Sequence, residues 1–150
     1  MLALLASCGF QLQGAFTAPA EMQRTYIATG DRHSLFYRDL YAALKSAGVT
    51  LVDNAAAATA IFEISFDATD QRVLSVSARN VPTEYEVYYT VEYALVAGET
   101  NLLQVQTLTL TRDYTYDSTL VLGKAQEQEL LREAIVDDLV RIILKQISTL

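Results

Sequence analysis

Residue types that build reactive sites are almost missing from these 150 residues: there is one cysteine, one histidine and no tryptophan. A single cysteine cannot form an intramolecular disulfide bond. If that cysteine, Cys8, serves as an anchor, neither a Cys/His metal cluster nor a thiol nucleophile is left in the chain. The six glycines are scattered, which excludes a glycine-rich loop for binding phosphate.

Positive charge is also scarce, with 11 basic against 18 acidic residues and a formal net charge of -7. Nucleic-acid binding needs clustered lysine and arginine, so we expect no nucleic-acid partner. An anionic ligand would need a local basic patch. No apolar run reaches the length of about 18 residues that a transmembrane helix requires. The chain nevertheless has 51% hydrophobic residues, enough for one globular domain.

The only cysteine lies in a short motif close to the N-terminus. Leu5-Ala6-Ser7-Cys8 has the pattern of a lipobox, an apolar residue and two small residues before the cysteine that receives acyl chains. We therefore predict that residues 1–7 are the tail of a truncated signal peptide, although no basic residue precedes Cys8. Residues 8–23 then form an acylated tether, and residues 24–150 a single domain. The alternative is a free cysteine on a buried N-terminal strand.

The rest of the sequence predicts four strands and two helices in the order β-α-β-β-β-α. The first strand spans 24–29, and Ser34 caps a helix that ends before Gly48. A short extended piece at 49–52 precedes a strand at 60–66. Residues 72–76 either extend that strand or form a separate one. Residues 84–96 alternate clearly between apolar and polar side chains, which predicts a strand. A loop at 98–101 connects it to a second strand at 102–116, and the two strands form an antiparallel hairpin. A loop at 117–124 leads to an amphipathic helix over about 126–148.

These elements predict an α+β fold, a two-layer sandwich in which both helices pack on one face of a mixed four-stranded sheet. Helices with one apolar face and strands with alternating residues bury their apolar sides most completely in this way. We find no repeat, linker or low-complexity tail in the sequence.

Few residues are candidates for chemistry. His33 lies in a predicted loop, where a histidine is usually solvated. The carboxylates on the polar face of one strand could do acid/base work, but solubility explains that placement better; they are Glu84, Glu86 and Glu92. Tyr88 shares this face and is of a type favoured where a surface meets a partner.

Three basic residues lie near predicted loops and strand ends: Arg79, Arg112 and Lys124. Each alone is most simply a solvated surface charge. If the ends of the hairpins cluster, these residues form a small patch that contacts anions on an otherwise acidic protein.

Several segments resemble the LPS-assembly lipoproteins of the LptE family. The similarity begins with Cys8-Gly9-Phe10-Gln11-Leu12-Gln13-Gly14 and continues through Pro19-Ala20-Glu21-Met22, Arg79-Asn80, Thr83-Glu84-Tyr85 and Lys124 before the last helix. Gln13 departs from the family pattern, because many members carry arginine there. The family also often has a polar tail after its last helix, whereas this sequence ends at Leu150.

The resemblance implies two helices on a four-stranded sheet and a non-enzymatic role. It implies a lipoprotein that plugs the outer-membrane barrel of the lipopolysaccharide translocon (an LptD-like subunit), supports assembly of that barrel and contacts lipopolysaccharide. Arg79 and Lys124 look like the positions directed at its phosphates, Cys8 is the lipid attachment site, and no cofactor is implied. Gly9 after the cysteine fits sorting to the outer membrane.

Two other functions stay open at this point. The first is an independent periplasm-facing lipoprotein that binds a small amphiphile between helices and sheet, or acts as a chaperone. The second is a hydrolase that uses the strand carboxylates, which requires a concave site around residues 84–92.

Overall fold

The computed structural model describes residues 16–116 and 121–150. Short 3-10 turns lie at Ala20–Gln23 and Ala55–Ala57. The main elements are β1 (Arg24–Thr29), α1 (Leu35–Ser46), β2 (Thr50–Leu51), β3 (Ala60–Val76), β4 (Pro82–Ala97), β5 (Thr100–Thr115) and α2 (Val121–Ile147).

The described strands form one mixed sheet in the order β2-β1-β3-β4-β5. β1 runs parallel to both of its neighbours, and the β3–β4 and β4–β5 pairs are antiparallel. The predicted α+β class is confirmed, but the count of four strands is wrong. The fifth strand is the extended piece after α1, where Thr50 and Leu51 pair with Arg24 and Thr25. Two residues are too few for an alternating pattern, so sequence alone could not identify this strand.

Local signals fix the ends of α1 as predicted. The hydroxyl oxygen of Ser34 accepts a hydrogen bond from the backbone N–H of Tyr37 at 3.0 Å, which satisfies one free donor of the first turn. After the helix, Gly48 has φ of +84°, a left-handed conformation that glycine adopts without a steric penalty.

β3 is one continuous strand whose alternation changes at Ser65. The register with β4 shifts between Ile64 and Phe66, so that even-numbered residues face the helices before the shift and odd-numbered residues after it. This shift explains why the sequence shows no single apolar phase over 60–76. The two predicted pieces are therefore a single strand.

The turn between β4 and β5 is shorter than predicted. Thr100 and Asn101 already pair with Ala97 and Val96, which leaves Gly98 and Glu99 as a two-residue turn. Gly98 has φ of +60°, as such turns require.

α2 begins at Val121, five residues before the predicted start at 126. The last four residues of the predicted loop at 117–124 are therefore helical, and its first four lie outside the described residues. The prediction was late because the apolar stripe that carried it starts only at Leu131.

The core lies between the two helices and one face of the sheet, as predicted. Its fully buried side chains come from both helices and from β3 and β4, and include Phe36, Leu40, Leu44, Phe62, Val87, Leu95, Ile135, Leu139, Ile143 and Ile147. Met22 is also fully buried, and Phe16 and Ala18 pack against the core. The packed body thus starts before Arg24. Neither described helix is long and apolar enough to span a membrane.

A polar network ties the start of α1 to the sheet. Asp67, just beyond the register shift, accepts hydrogen bonds from the hydroxyl of the helix cap Ser34 and from the hydroxyl of Tyr89, the latter at 2.5 Å. Burial of Tyr89 raises the pKa of its hydroxyl above the usual value near 10, and the bond to Asp67 raises it further. The network therefore favours a protonated tyrosine next to the carboxyl group.

We predict that Leu139→Ala lowers the free energy of unfolding by about 2 to 5 kcal/mol, because it leaves a cavity in the core. Leu130→Ala is the matched control on the same helix, since Leu130 is 59% exposed and Leu139 fully buried. Equilibrium unfolding in urea measures both. Equal losses for the two variants would contradict this packing of α2.

We also predict that stability falls as the pH rises above about 10. A phenol whose pKa is raised by folding stabilises the native state below its unfolded pKa, and that contribution is lost as the pH climbs toward the folded value. Tyr89→Phe should remove much of this dependence and cost about 1 to 3 kcal/mol at neutral pH. Tyr41→Phe at a 38% exposed position is the control. An unchanged alkaline profile in Tyr89→Phe argues against the network.

Candidate functional site

The long strands extend beyond the short ones at one end of the sheet. β1 pairs only with residues 60–64 of β3, so the rest of β3 continues past it together with β4 and β5. We call residues 70–88 and 111–116, with the first two turns of α2, the distal end. It contains the β3–β4 turn.

Backbone hydrogen bonds hold that turn in a defined conformation. The N–H of Ser77 donates to the carbonyl of Val81 at 2.8 Å, and the N–H of Asn80 donates to the carbonyl of Ser77 at the same distance. Asn80 has φ of +61°, a left-handed conformation that asparagine tolerates better than most side chains. The turn presents Arg79 to solvent.

Arg79 is surrounded in sequence by exposed apolar side chains. Val73, Leu74, Val76 and Val81 are between 44% and 53% exposed. Arg79 is the only charged residue from 73 to 81. Large apolar residues grouped at a strand end without cover are a common mark of an interaction site. This segment combines an apolar surface with a single positive charge.

Aromatic and amide side chains connect the strands and the helix of the distal end. The ring of Tyr85 stacks on Tyr114 with centroids 5.6 Å apart and meets Tyr116 edge-on at 5.5 Å. The side-chain oxygen of Gln71 accepts from the Tyr114 hydroxyl at 3.1 Å and from the Gln128 amide at 2.9 Å. The second bond fastens the start of α2 to β3.

A groove of about 450 Å³ runs between the end of β5 and α2. Its walls include Leu74, Tyr114 and the carboxylates of Glu84, Asp113 and Glu127. Burial raises the pKa of the Tyr114 hydroxyl, and several neighbouring groups add to the effect. Among the described residues, the three acidic ones disfavour an anion inside the groove.

The three basic residues predicted to form a patch lie in different elements, and a patch that joins Arg79 to Lys124 stays a prediction. Arg79 lies in the exposed turn, and Lys124 lies in the first turn of α2, four residues before Gln128, although its side chain is outside the described part of the structure. Arg112 does not join them, because its guanidinium donates to Asp138 of α2. Asp138 also accepts from Arg141, and these bonds lower the pKa of its carboxyl group. Cys8 lies outside the described residues.

Sequence reasoning missed Arg72. Its guanidinium pairs with Glu86 across the β3–β4 ladder at 2.5 Å and lies 5.9 Å from the ring centroid of Tyr88. Tyr88 was noted as a surface tyrosine, but its cationic neighbour follows only from the strand register. This group stands on the face of the sheet opposite the helices, which we call the open face.

The other candidate residues have ordinary surface contacts. The backbone N–H of His33 donates to Asp31, and the side chain is exposed. Glu86 pairs with Arg72, whereas Glu92 accepts from Ser65 at 2.6 Å. These contacts are typical of a hydrogen-bonded sheet surface. Glu84, the third strand carboxylate, lines the groove between β5 and α2.

A family model described as "LptE: Lipopolysaccharide-assembly" matches residues 22–147. The chain belongs to the LptE family. The match covers all five described strands and both described helices, so it includes the whole distal end.

Curated relatives from this family match nearly the whole of this chain and about two thirds of their own length. The LPS-assembly lipoproteins LptE of Yersinia pestis (strain Pestoides F) and of Yersinia pseudotuberculosis (serotype O:1b, strain IP 31758) are each 23% identical over 145 residues, which is 96% of this chain and 70% of theirs. Membership gives this chain the role of an LPS-assembly lipoprotein that works with the machinery of lipopolysaccharide transport.

Solved structures of similar lipoproteins have the same fold. A lipoprotein B from Nitrosomonas europaea has a TM-score of 0.76 at 29% identity, covering 93% of this chain and 90% of that one. The rare lipoprotein B from Shewanella oneidensis has a TM-score of 0.73 at 24% identity, covering 84% and 94%. These structures confirm the class of fold predicted from sequence.

Proposed function

We propose that this lipoprotein sits as a plug in the outer-membrane barrel of the lipopolysaccharide translocon, supports assembly of that barrel, and contacts lipopolysaccharide with its distal end. It does so without catalytic chemistry. The observation that carries the contact is Arg79, a single cation among exposed apolar side chains on a chain of net charge -7.

The distal end fits the chemistry of lipopolysaccharide, an amphiphile with phosphates next to acyl chains. A guanidinium binds phosphate in a bidentate manner, so Arg79 suits that group. Val76 and Val81 are half exposed on either side of the turn and can contact acyl chains. Lys124 offers a second point charge from the start of α2, where the helix dipole also favours an anion.

Attachment to the membrane is the second part of the proposal. Cys8 carries acyl chains at the start of a tether over residues 8–23, and these chains hold the domain at the periplasmic side of the outer membrane. One acyl chain binds a membrane only marginally, at about 0.8 kcal/mol per buried CH₂, so several chains are needed for a stable anchor.

The alternative of an amphiphile bound between the layers gains no support from the core. Fully buried side chains of both helices meet those of the sheet there, including Phe36, Phe62, Leu95 and Leu139. An acyl chain would have to displace these residues, whereas the distal end already exposes apolar surface.

We predict that Arg79→Glu combined with Lys124→Glu leaves the fold intact and weakens binding of purified lipopolysaccharide by about tenfold or more, as expected for lost contacts to charged groups. Exposed charges contribute little to stability, so thermal unfolding should change little. Surface plasmon resonance with the full chain in detergent, at low and moderate salt, measures the affinity.

The matched control is Arg38→Glu with Lys45→Glu on the exposed side of α1. Both double variants change the formal charge from -7 to -11, because each substitution replaces one positive by one negative charge. If only the total charge of the protein decided the affinity, both double variants would bind lipopolysaccharide equally weakly. Equal binding by both variants, or unchanged binding by the distal variant at either salt concentration, would contradict the assignment of Arg79 and Lys124.

A further inference from the structure

β5 forms an edge of the sheet that no other described strand pairs with. Within residues 16–116 and 121–150 the strand order ends at β5, which bonds to β4 on one side only. The strand has 16 residues, whereas the strand at the opposite edge, β2, has two. A long edge of this kind presents a row of backbone donors and acceptors to any extended chain.

Hydrogen bonds identify which residues direct their backbone outward. The N–H of Tyr116 donates to the carbonyl of Thr83 at 2.7 Å, so this pair bonds directly across the β4–β5 ladder. In an antiparallel ladder such pairs alternate, and the register carries the pattern to Leu110 and Leu108. The intervening threonines at 107, 109 and 111 therefore point their N–H and C=O groups away from β4, toward the free edge.

A contact on the next strand agrees with this assignment. Tyr88 is the partner of Thr111 in the register, and its carbonyl accepts from the hydroxyl of Thr69 on β3 at 2.9 Å. The carbonyl thus faces β3, as it must if Tyr88 and Thr111 do not bond each other.

This edge lacks the features by which sheet edges usually resist pairing. From Thr100 to Thr111 there is no charged residue and no proline. Arg112 and Asp113 follow, and the guanidinium of Arg112 is directed to Asp138 of α2. The register with β4 is unbroken from Gln106 to Thr115, so no bulge interrupts this part of the strand. Threonine and leucine alternate over 107–111, and threonine suits a pleated strand.

Charge selects the kind of strand that fits. The side chains of the β5 threonines lie on the open face together with Asp113, and the next strand, β4, carries Glu84, Glu86 and Glu92 there. Arg72 of β3 neutralises Glu86, which leaves three of these four acidic side chains without an ion pair to a described residue. A strand added to β5 would stand about 10 Å from this acidic row, close to the screening length in physiological salt. Basic side chains are favoured there. A second copy of this chain, with its own charge of -7, is disfavoured.

We propose that the edge of β5 from Thr107 to Thr115 accepts an extended segment of another polypeptide by strand addition, and that this segment carries lysine or arginine on the open face. Backbone hydrogen bonds supply the affinity and the acidic row supplies the selectivity. The proposal is independent of lipopolysaccharide contact, which takes place at the β3–β4 turn.

Residue-resolved hydrogen exchange of the full chain tests it, with a nine-residue peptide of alternating valine and lysine as the probe. In the chain alone the amides of Thr107, Thr109 and Thr111 should exchange fast, and those of Leu108 and Leu110 slowly. The peptide should slow the threonine amides by about tenfold or more. A peptide of alternating valine and glutamate should not.

Thr111→Pro removes an outward N–H without breaking a bond to β4, so it should weaken binding of the valine-lysine peptide by about tenfold, like the loss of one or two backbone bonds. Thr111→Val keeps the N–H and should bind like the unmodified chain. If the proline variant fails to fold, Thr109→Lys serves instead, since an added lysine repels the basic peptide and is a natural block on edge strands.

Each contrary result overturns a stated part of the proposal. Slow exchange of the threonine amides in the chain alone means that the edge is already covered. A second copy covers it if the protection rises with protein concentration. Residues of the same chain cover it if the protection does not depend on concentration. Equal protection by the two peptides removes the charge selectivity. No protection by either peptide removes strand addition altogether. Lipopolysaccharide binding does not enter this readout, so the two proposals can fail separately.

Discussion

The register shift at Ser65 is the constraint on which the rest of this structure depends. Before the shift the even-numbered residues of β3 face the helices, and after it the odd-numbered residues do. The shift therefore turns Asp67 and Gln71 toward the helices. Asp67 then binds the cap of α1 and the hydroxyl of Tyr89, and Gln71 binds α2 through Gln128. Without the shift, Phe66 would face the helices and both polar anchors would point to solvent. One inserted residue thus sets how both helices meet the sheet.

The same shift separates the core from the distal end. Beyond it, β3 turns Asp67 and Gln71 to the helix face, and only β4 carries the core further, as far as Val87, which pairs with Gln71. Past Val87 the paired strands continue without buried side chains. The strands past this point are braced by Tyr85 and Tyr114 and leave the apolar residues near the turn half exposed. A rigid support with an uncovered apolar tip and one arginine suits an amphiphilic anion. The free edge of β5 meets the distal end at residues 111–115, but it offers backbone donors and acceptors, whereas the β3–β4 turn offers the side chains of Arg79 and its apolar neighbours.

Features of the fold that depend on local pattern could be predicted from sequence, and those that depend on pairing could not. The cap at Ser34 and the alternation of β4 follow from neighbouring residues. The two-residue β2, the shift at Ser65 and the ion pair of Arg72 with Glu86 exist only once strands are aligned. Arg79 could be chosen as a basic residue between two strands, but its exposed apolar neighbours follow only from where the core ends. Arg112 was grouped with it because Asp138, its partner, lies 26 residues further along the chain.

Site-specific photocrosslinking in the native envelope tests most directly whether the distal end contacts lipopolysaccharide. A photoreactive residue at Val76, beside the β3–β4 turn, should capture lipopolysaccharide. The same residue at Glu99, in the β4–β5 turn at the opposite end of these strands, should not. Capture of lipopolysaccharide from both positions, from Glu99 alone, or from neither while the protein is folded and anchored would contradict the account.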